Sequence, residues 1–253
     1  MSHARREVTT RELGDVVHAA PVLVARGLRK SYGSAVALAA GELEIRRGEV
    51  VAVTGPSGSG KSTLLQCAAG ITLPDSGAVW LDGQSVTDLP DAARARLRRT
   101  AFGFVFQFGQ LVPELTVREN VALPLLLNGV RRRKAMAAAA EWLTVFGVDE
   151  LSRRRPGEVS GGQAQRVAVA RAMVIEPMVV FADEPTGSLD STSGSRVLEA
   201  LVDAAHERSV AVMIVTHDAA VAARADREVV VRDGVTMPSD DVISRDSRAG
   251  VAP

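Results

Sequence analysis

The chain is poor in cysteine, in net charge and in long apolar runs. Its 253 residues include one cysteine, Cys67, which excludes an intrachain disulfide and fits a reducing compartment. Thirty Lys and Arg residues balance thirty Asp and Glu. This neutrality removes any global electrostatic case for nucleic acid or anionic lipid. No apolar run approaches the ~20 residues that span a bilayer. The first twenty residues lack the apolar stretch of a secretion signal and read as a polar tail. A soluble protein is expected, one that needs an embedded partner to act on a membrane. There is no short-period repeat and no tandem duplication.

An apolar fraction of 46% is enough for a packed core in one large domain or two modest ones. The stretch from Val22 to Ile45 is strand-like, broken by a turn around Gly33. Val50 to Val53 is an apolar strand, and a helix is expected over Ser62 to Ala69. Val79 to Leu81 with the Asp82-Gly83 turn reads as another strand. Helical character dominates from Pro90 to Glu176. Thr116 to Glu119 has capping-box spacing and opens a helix expected to kink or break near Pro124. The alanine-rich run Arg131 to Phe146 is a strong helix former. Strands return at Val179 to Ala182, Val210 to Val215 and Glu228 to Arg232. Their continuous apolar character is that of parallel strands buried on both faces.

The sharpest motif is Gly55-Pro56-Ser57-Gly58-Ser59-Gly60-Lys61-Ser62, which fits G-x-x-x-x-G-K-[ST] and lies between an expected strand and an expected helix. Its glycines let backbone N–H groups turn towards phosphate oxygens, and the helix N-terminus adds a favourable dipole. Lys61 suits the β- and γ-phosphates of ATP, and Ser62 suits Mg²⁺. A plain Gly/Ser turn is the alternative.

Two carboxylates, Asp183 and Glu184, end the run Val179-Val-Phe-Ala, where α/β sheets place ligands. Asp183 suits a magnesium ion, and Glu184 suits a proton leaving the attacking water. Solvated carboxylates at a strand end are the plainer alternative.

Ser160-Gly161-Gly162-Gln163 precedes an expected helix, Ala164 to Val174. Ser160 and Gln163 have capping-box spacing, so a simple helix start is one reading. Two consecutive glycines make a poor first turn unless something approaches the backbone closely, which favours a second anion site, one that completes a site on another chain.

This ordered set resembles the nucleotide-binding domains of ABC transporters over about Val22 to Val235. Val159 stands for the usual leucine before the signature motif, and Ala164 for a frequent glutamine after it. The resemblance implies a P-loop NTPase core of α/β class with an N-terminal antiparallel β subdomain and an inserted α-helical subdomain. Residues 1–20 and 237–253 would be polar tails. Residues 21–92 and 175–236 would form the ATP-binding core with the β subdomain, and 93–174 the helical subdomain. It further implies that Gly55 to Thr63 hold ATP, with Thr63 extending the loop motif, and that Tyr32 stacks on adenine. Gln107 would touch Mg²⁺ and the attacking water, and His217 the γ-phosphate. Asp190, in Ser188-Leu189-Asp190, would lie in a loop crossing a dimer interface. Ser160 and Gly162 would bind the γ-phosphate held by the opposite subunit. Cys67 is expected to be a small buried hydrophobe, and Arg131 to Lys134 and Arg153 to Arg155 a solvated surface.

Phe104 to Val121 and Ala182 to Asp190 resemble the branch that includes lipoprotein-release, macrolide-export and antimicrobial-peptide-resistance ATPases. That implies a homodimer around two Mg·ATP, on the cytoplasmic face of a membrane, powering an integral permease without nucleic acid. An ATPase regulating signalling or wall remodelling through a permease stays open as an alternative. A soluble ABC ATPase of DNA repair or translation finds less support, for want of paired ATPase domains, coiled-coil insertions or zinc-binding cysteines.

Overall fold

Three apolar runs without alternation form the centre of the molecule as β3 (Val50–Thr54), β7 (Val179–Asp183) and β8 (Ala211–Val215). They pair in parallel, Val50 opposite Val212 and Val180 opposite Val212. Successive side chains point to opposite faces of a sheet. Val50, Val180, Val212 and Ile214 therefore enter one core cluster, and Val51, Phe181, Met213 and Val215 the other. A strand buried on both faces has no polar positions, which is why these runs look featureless in sequence.

The computed structural model describes residues 20–238, so the two polar tails lie, but for Ala20, Met237 and Pro238, outside the described residues. Around the central strands stand β1 (Leu23–Tyr32), β2 (Ala35–Ile45), β4 (Ser76–Leu81), β5 (Gln84–Ser85), β6 (Phe102–Phe106), β9 (Arg227–Arg232) and β10 (Val235–Pro238). The sheet order is β5-β4-β1-β2-β10-β9-β3-β8-β7-β6. The first four are antiparallel neighbours and form the expected β subdomain, with the β1–β2 hairpin turning at Gly33. From β9 to β6 every pairing is parallel.

The helices are α1 (Lys61–Ala68), α2 (Asp91–Ala101), α3 (Val117–Leu127), α4 (Arg132–Val145), α5 (Gly161–Met173), α6 (Ser191–Arg208) and the short α7 (Ala219–Ala222). Buried α1 residues Leu64, Leu65, Cys67 and Ala68 pack on one sheet face, and α3, α4, α5 and α6 supply the core of the other. Helix α6 is additional to the elements expected from sequence.

Two expectations change. The stretch from Pro90 to Glu176 is interrupted by β6, which joins the core sheet beside β7 with Phe104 opposite Phe181. Phe102 and Phe181 meet edge to face at 5.1 Å, the kind of aromatic pairing that favours a strand here. Helix α3 is not broken at Pro124; it continues to Leu127. Its first turn carries the expected capping box, Thr116 with Glu119. Packing on α4 and α5 outweighs the one hydrogen bond that proline withholds.

Candidate functional site

The C-terminal ends of β3, β6, β7 and β8 converge, and the sequence motifs sit on the loops that leave them. After β3 the chain turns through Gly55 to Gly60 before α1. Two glycines there are required by the chain's own backbone. A Cβ added to Gly55 would lie 2.1 Å from the Val231 carbonyl oxygen, and one added to Gly60 would lie 2.3 Å from that of Ala37. Both have positive φ, 139° and 108°. The Gly234 N–H donates to the Ser59 carbonyl at 3.0 Å. The loop is therefore walled by β2 on one side and β9 with its following turn on the other.

Lys61 is buried, and its Nζ donates to the carbonyls of Gly55 and Pro56, both at 2.8 Å. The Ser59 hydroxyl is buried and has no hydrogen-bond partner among the described residues. A buried hydroxyl without a partner costs about 1–3 kcal/mol, so a phosphate-shaped acceptor suits this loop. Pro56, Ser57, Gly58 and Thr63 complete its open rim and the start of α1.

Ser62, Gln107, Asp183 and Glu184 line one cavity of about 300 Å³. Ser62 Oγ lies 3.4 Å from Asp183 Oδ1. Burial pushes the Asp183 carboxyl up; the Ser62 hydroxyl opposes this, and the Glu184 charge adds to it. A half-buried carboxylate beside a hydroxyl and an amide is a set of hard oxygen donors that fits magnesium. Glu184 is a non-glycine residue with φ of 47°. That left-handed turn, held by its N–H donating to the Val215 carbonyl at 2.9 Å, brings its carboxylate 2.7 Å from His217 Nδ1. The Thr216 hydroxyl lies 3.4 Å from its other oxygen.

The remaining residues stand apart from this cavity. Tyr32 is half exposed at the hairpin end, 5.7 Å from Lys30 Nζ to the ring centroid. Asp190 caps α6, accepting from the Ser193 N–H at 2.9 Å, and that bond lowers its pKa. Ser160 caps α5. Its Oγ accepts from the Gln163 N–H at 3.3 Å, and its own N–H donates to Gln163 Oε1 at 2.8 Å. The capping box is thus real. A Cβ on Gly162 would lie 3.1 Å from that of Ser193, so α6 in the same chain also limits this position. No described residue accepts from the N–H of Gly161 or Gly162. Cys67 is buried as expected, with its thiol pushed up to about 11 by burial.

Sequence reasoning missed three polar residues that hold the loop carrying Gln107. Gln165, 1% exposed, donates to the Phe106 carbonyl at 2.8 Å. Arg171 donates to those of Gly109 and Gln110 at 2.7 and 2.8 Å. Asn120, fully buried, accepts from the Val112 N–H at 2.7 Å and donates to carbonyls between Val112 and Thr116.

A family model described as ABC transporter matches residues 38–187. The chain is 41% identical over 218 residues to the lipoprotein-releasing system ATP-binding protein LolD of Hyphomonas neptunium, covering 85% of this chain and 96% of that one. It is 44% identical to LolD of Granulibacter bethesdensis, covering 85% and 94%. Among solved structures it is similar to the dimeric ATP-binding cassette MJ0796 in a post-hydrolysis state bound to ADP and Pi. There the TM-score is 0.78, with 35% identity and coverage of 85% and 98%. It is also similar to cbiO1 of Clostridium perfringens, part of the transporter complex cbiONQ, with TM-score 0.80, 28% identity and coverage of 91% and 93%. A phosphate loop walled by its own backbone, a carboxylate pair at the strand ends and these matches lead to one conclusion. The chain belongs to the ABC transporter family, as an ATP-binding, ATP-hydrolysing subunit.

Proposed function

We propose that two copies of this chain close around two ATP molecules and drive a membrane permease of the lipoprotein-releasing kind, by export or by mechanical transmission. The observation that carries the two-copy reading is the start of α5. Ser160 and Gln163 satisfy each other, while the N–H groups of Gly161 and Gly162 stand at a helix N-terminus with no acceptor among the described residues. Such an end suits an anion held elsewhere, here the γ-phosphate in the loop of the other copy.

Within each half, Gly55 to Thr63 cradle the phosphates and Tyr32 offers its ring to adenine. Lys61 exchanges its two loop carbonyls for phosphate oxygens. Ser62, Asp183 and Gln107 would hold Mg²⁺, which would supply neutralising positive charge beside the phosphates. Glu184 takes one proton from the attacking water as that oxygen bonds to the γ-phosphorus and the bond to ADP breaks. The 2.7 Å contact keeps His217 and Glu184 in register for this step. Asp190 and its neighbours lie across the dimer seam. The helical subdomain (93–174, less the core strand β6) passes the closure to the permease.

No helix among the described residues is long and apolar enough to cross a membrane. A peripheral position on the cytoplasmic face, held through the permease, follows from the same reading. The test uses tagged, full-length Glu184→Gln purified with Mg·ATP from detergent-solubilised membranes. We expect ATP turnover reduced by about 10²–10⁴-fold, an ATP-dependent dimer by light scattering, and a co-purifying permease. Wild-type turnover would remove Glu184 from its role. A soluble nucleic-acid complex in place of a membrane protein would overturn the transport reading and leave the ATPase standing.

A further inference from the structure

We propose that Arg171 and Gln165, on the helix that begins with the signature segment, are positioning residues that present Gln107 to the reacting phosphate. This rests on the reading of Gln107 given above.

The argument starts at the end of β6. Backbone carbonyls that leave a strand need new donors. In the five residues 106–110, four carbonyls are taken by side chains. Gln165 holds that of Phe106, and Arg171 holds those of Gly109 and Gln110. The fourth, of Gln107 itself, accepts from the Ser188 hydroxyl at 2.7 Å. Gln110 is held with φ of 45°, a left-handed turn that costs a non-glycine residue about 1–2 kcal/mol. The segment closes two turns of its own, Gly109 N–H to the Phe106 carbonyl and Gln110 N–H to that of Phe108, and every side chain that holds it comes from elsewhere in the fold.

Arg171 is the less expected donor. It makes no ion pair among the described residues, and both its bonds go to carbonyls. Arg171 is half-buried; a partly desolvated guanidinium without a carboxylate adds little to the stability of a fold, whereas its two-pronged geometry is a good means of fixing two successive carbonyls. Both donors belong to α5, which begins with Gly161 and Gly162, Gln165 one turn into the helix and Arg171 near its far end. A movement of α5 on engaging the opposite nucleotide is thus transferred to Gln107 through three side-chain bonds. In this arrangement neither residue touches ATP; each acts through the loop.

The test is a double-mutant cycle in ATP turnover of the full-length protein, using Gln107→Ala, Arg171→Lys, Gln165→Ala and the pairings with Gln107→Ala. Lysine keeps the charge and reaches one carbonyl. Each single variant is expected to lower kcat about 10–100-fold, as small misplacements of reacting groups do, with the KM for ATP within about twofold. In the Gln107→Ala background the other substitutions should add nothing. Losses that multiply in the double variants overturn the proposal and leave Gln107 its role. Wild-type turnover in Gln107→Ala overturns the reading of Gln107 and the proposal with it. Amide exchange of the nucleotide-free chain tests the clamp without turnover. In Arg171→Lys, residues 107–111 should exchange about tenfold faster while β7 and α1 are unchanged. Unchanged exchange in that loop overturns the proposal.

Discussion

Two glycine-rich segments of this chain, 55–62 and 160–163, are built on opposite plans. In the first, the glycines at both ends are demanded by backbone of the same chain, and a buried lysine and an unpartnered hydroxyl face inward. In the second, Ser160 is exposed and its cap is closed within four residues. One half-site is finished by its own fold. The other is made stable by a cap that leaves two N–H groups with no acceptor among the described residues, which suits the proposed contact with another chain. The plain helix-start reading of Ser160 and the signature reading do not compete, because as a cap the Ser160 Oγ only accepts, from the Gln163 N–H, and keeps its own proton to donate.

The comparison breaks most visibly at Gly60. Gly60→Ala puts a methyl group against the Ala37 carbonyl and should weaken nucleotide binding by the single chain more than about 100-fold, equivalent to roughly 3 kcal/mol. A fluorescent ATP analogue measures this, and an unaltered Kd would show that the walls yield. Gly162→Ala should leave that affinity within about twofold but weaken ATP-dependent dimerisation of Glu184→Gln about tenfold. Adding Ser193→Gly relieves the clash within the chain and sharpens the contrast. Recovery of the dimer would locate the role of Gly162 in packing on α6 and not across the seam. Ser160→Ala removes the cap, at about 1 kcal/mol, seen as a fall in Tm of about 2–4 °C. Ser160→Asp keeps the cap and the Tm but sets a carboxylate against the phosphate, and the dimer should fail.

The smallest effect concerns acid. Arg132 hydrogen bonding, with help from Thr116, holds the Glu119 carboxyl below its usual range. Its contribution is complete above the unfolded value near 4.3 and is lost as pH falls through the lower folded value. Arg132→Ala should narrow that loss by less than about 1 kcal/mol, since the Arg132 side chain is largely exposed and solvent screens the pair. Urea melts at pH 3 and 7 measure it.

The core strands and the phosphate loop were legible because each is local: a continuous apolar run, or a spacing fixed by one tight turn. Strand β6 was not, since five residues between helices declare themselves only through Phe181 opposite Phe104. Helix α3 outlasting Pro124 depends on packing that the sequence does not display. Glu184 was legible as a carboxylate after a strand, but its turn towards His217 rests on the Val215 carbonyl, which has no letter of its own. Gln165 and Arg171 were hidden for the same reason, because their acceptors are carbonyls 59 to 62 residues away.

The walls of the phosphate loop have a consequence for synthesis. The loop spans residues 55–62, yet one wall is Ala37 and the other is Val231 with Gly234, far later in the chain. A nascent chain carries the whole motif long before its second wall leaves the ribosome. A nucleotide therefore meets a cradle with both walls only after Gly234 has been made.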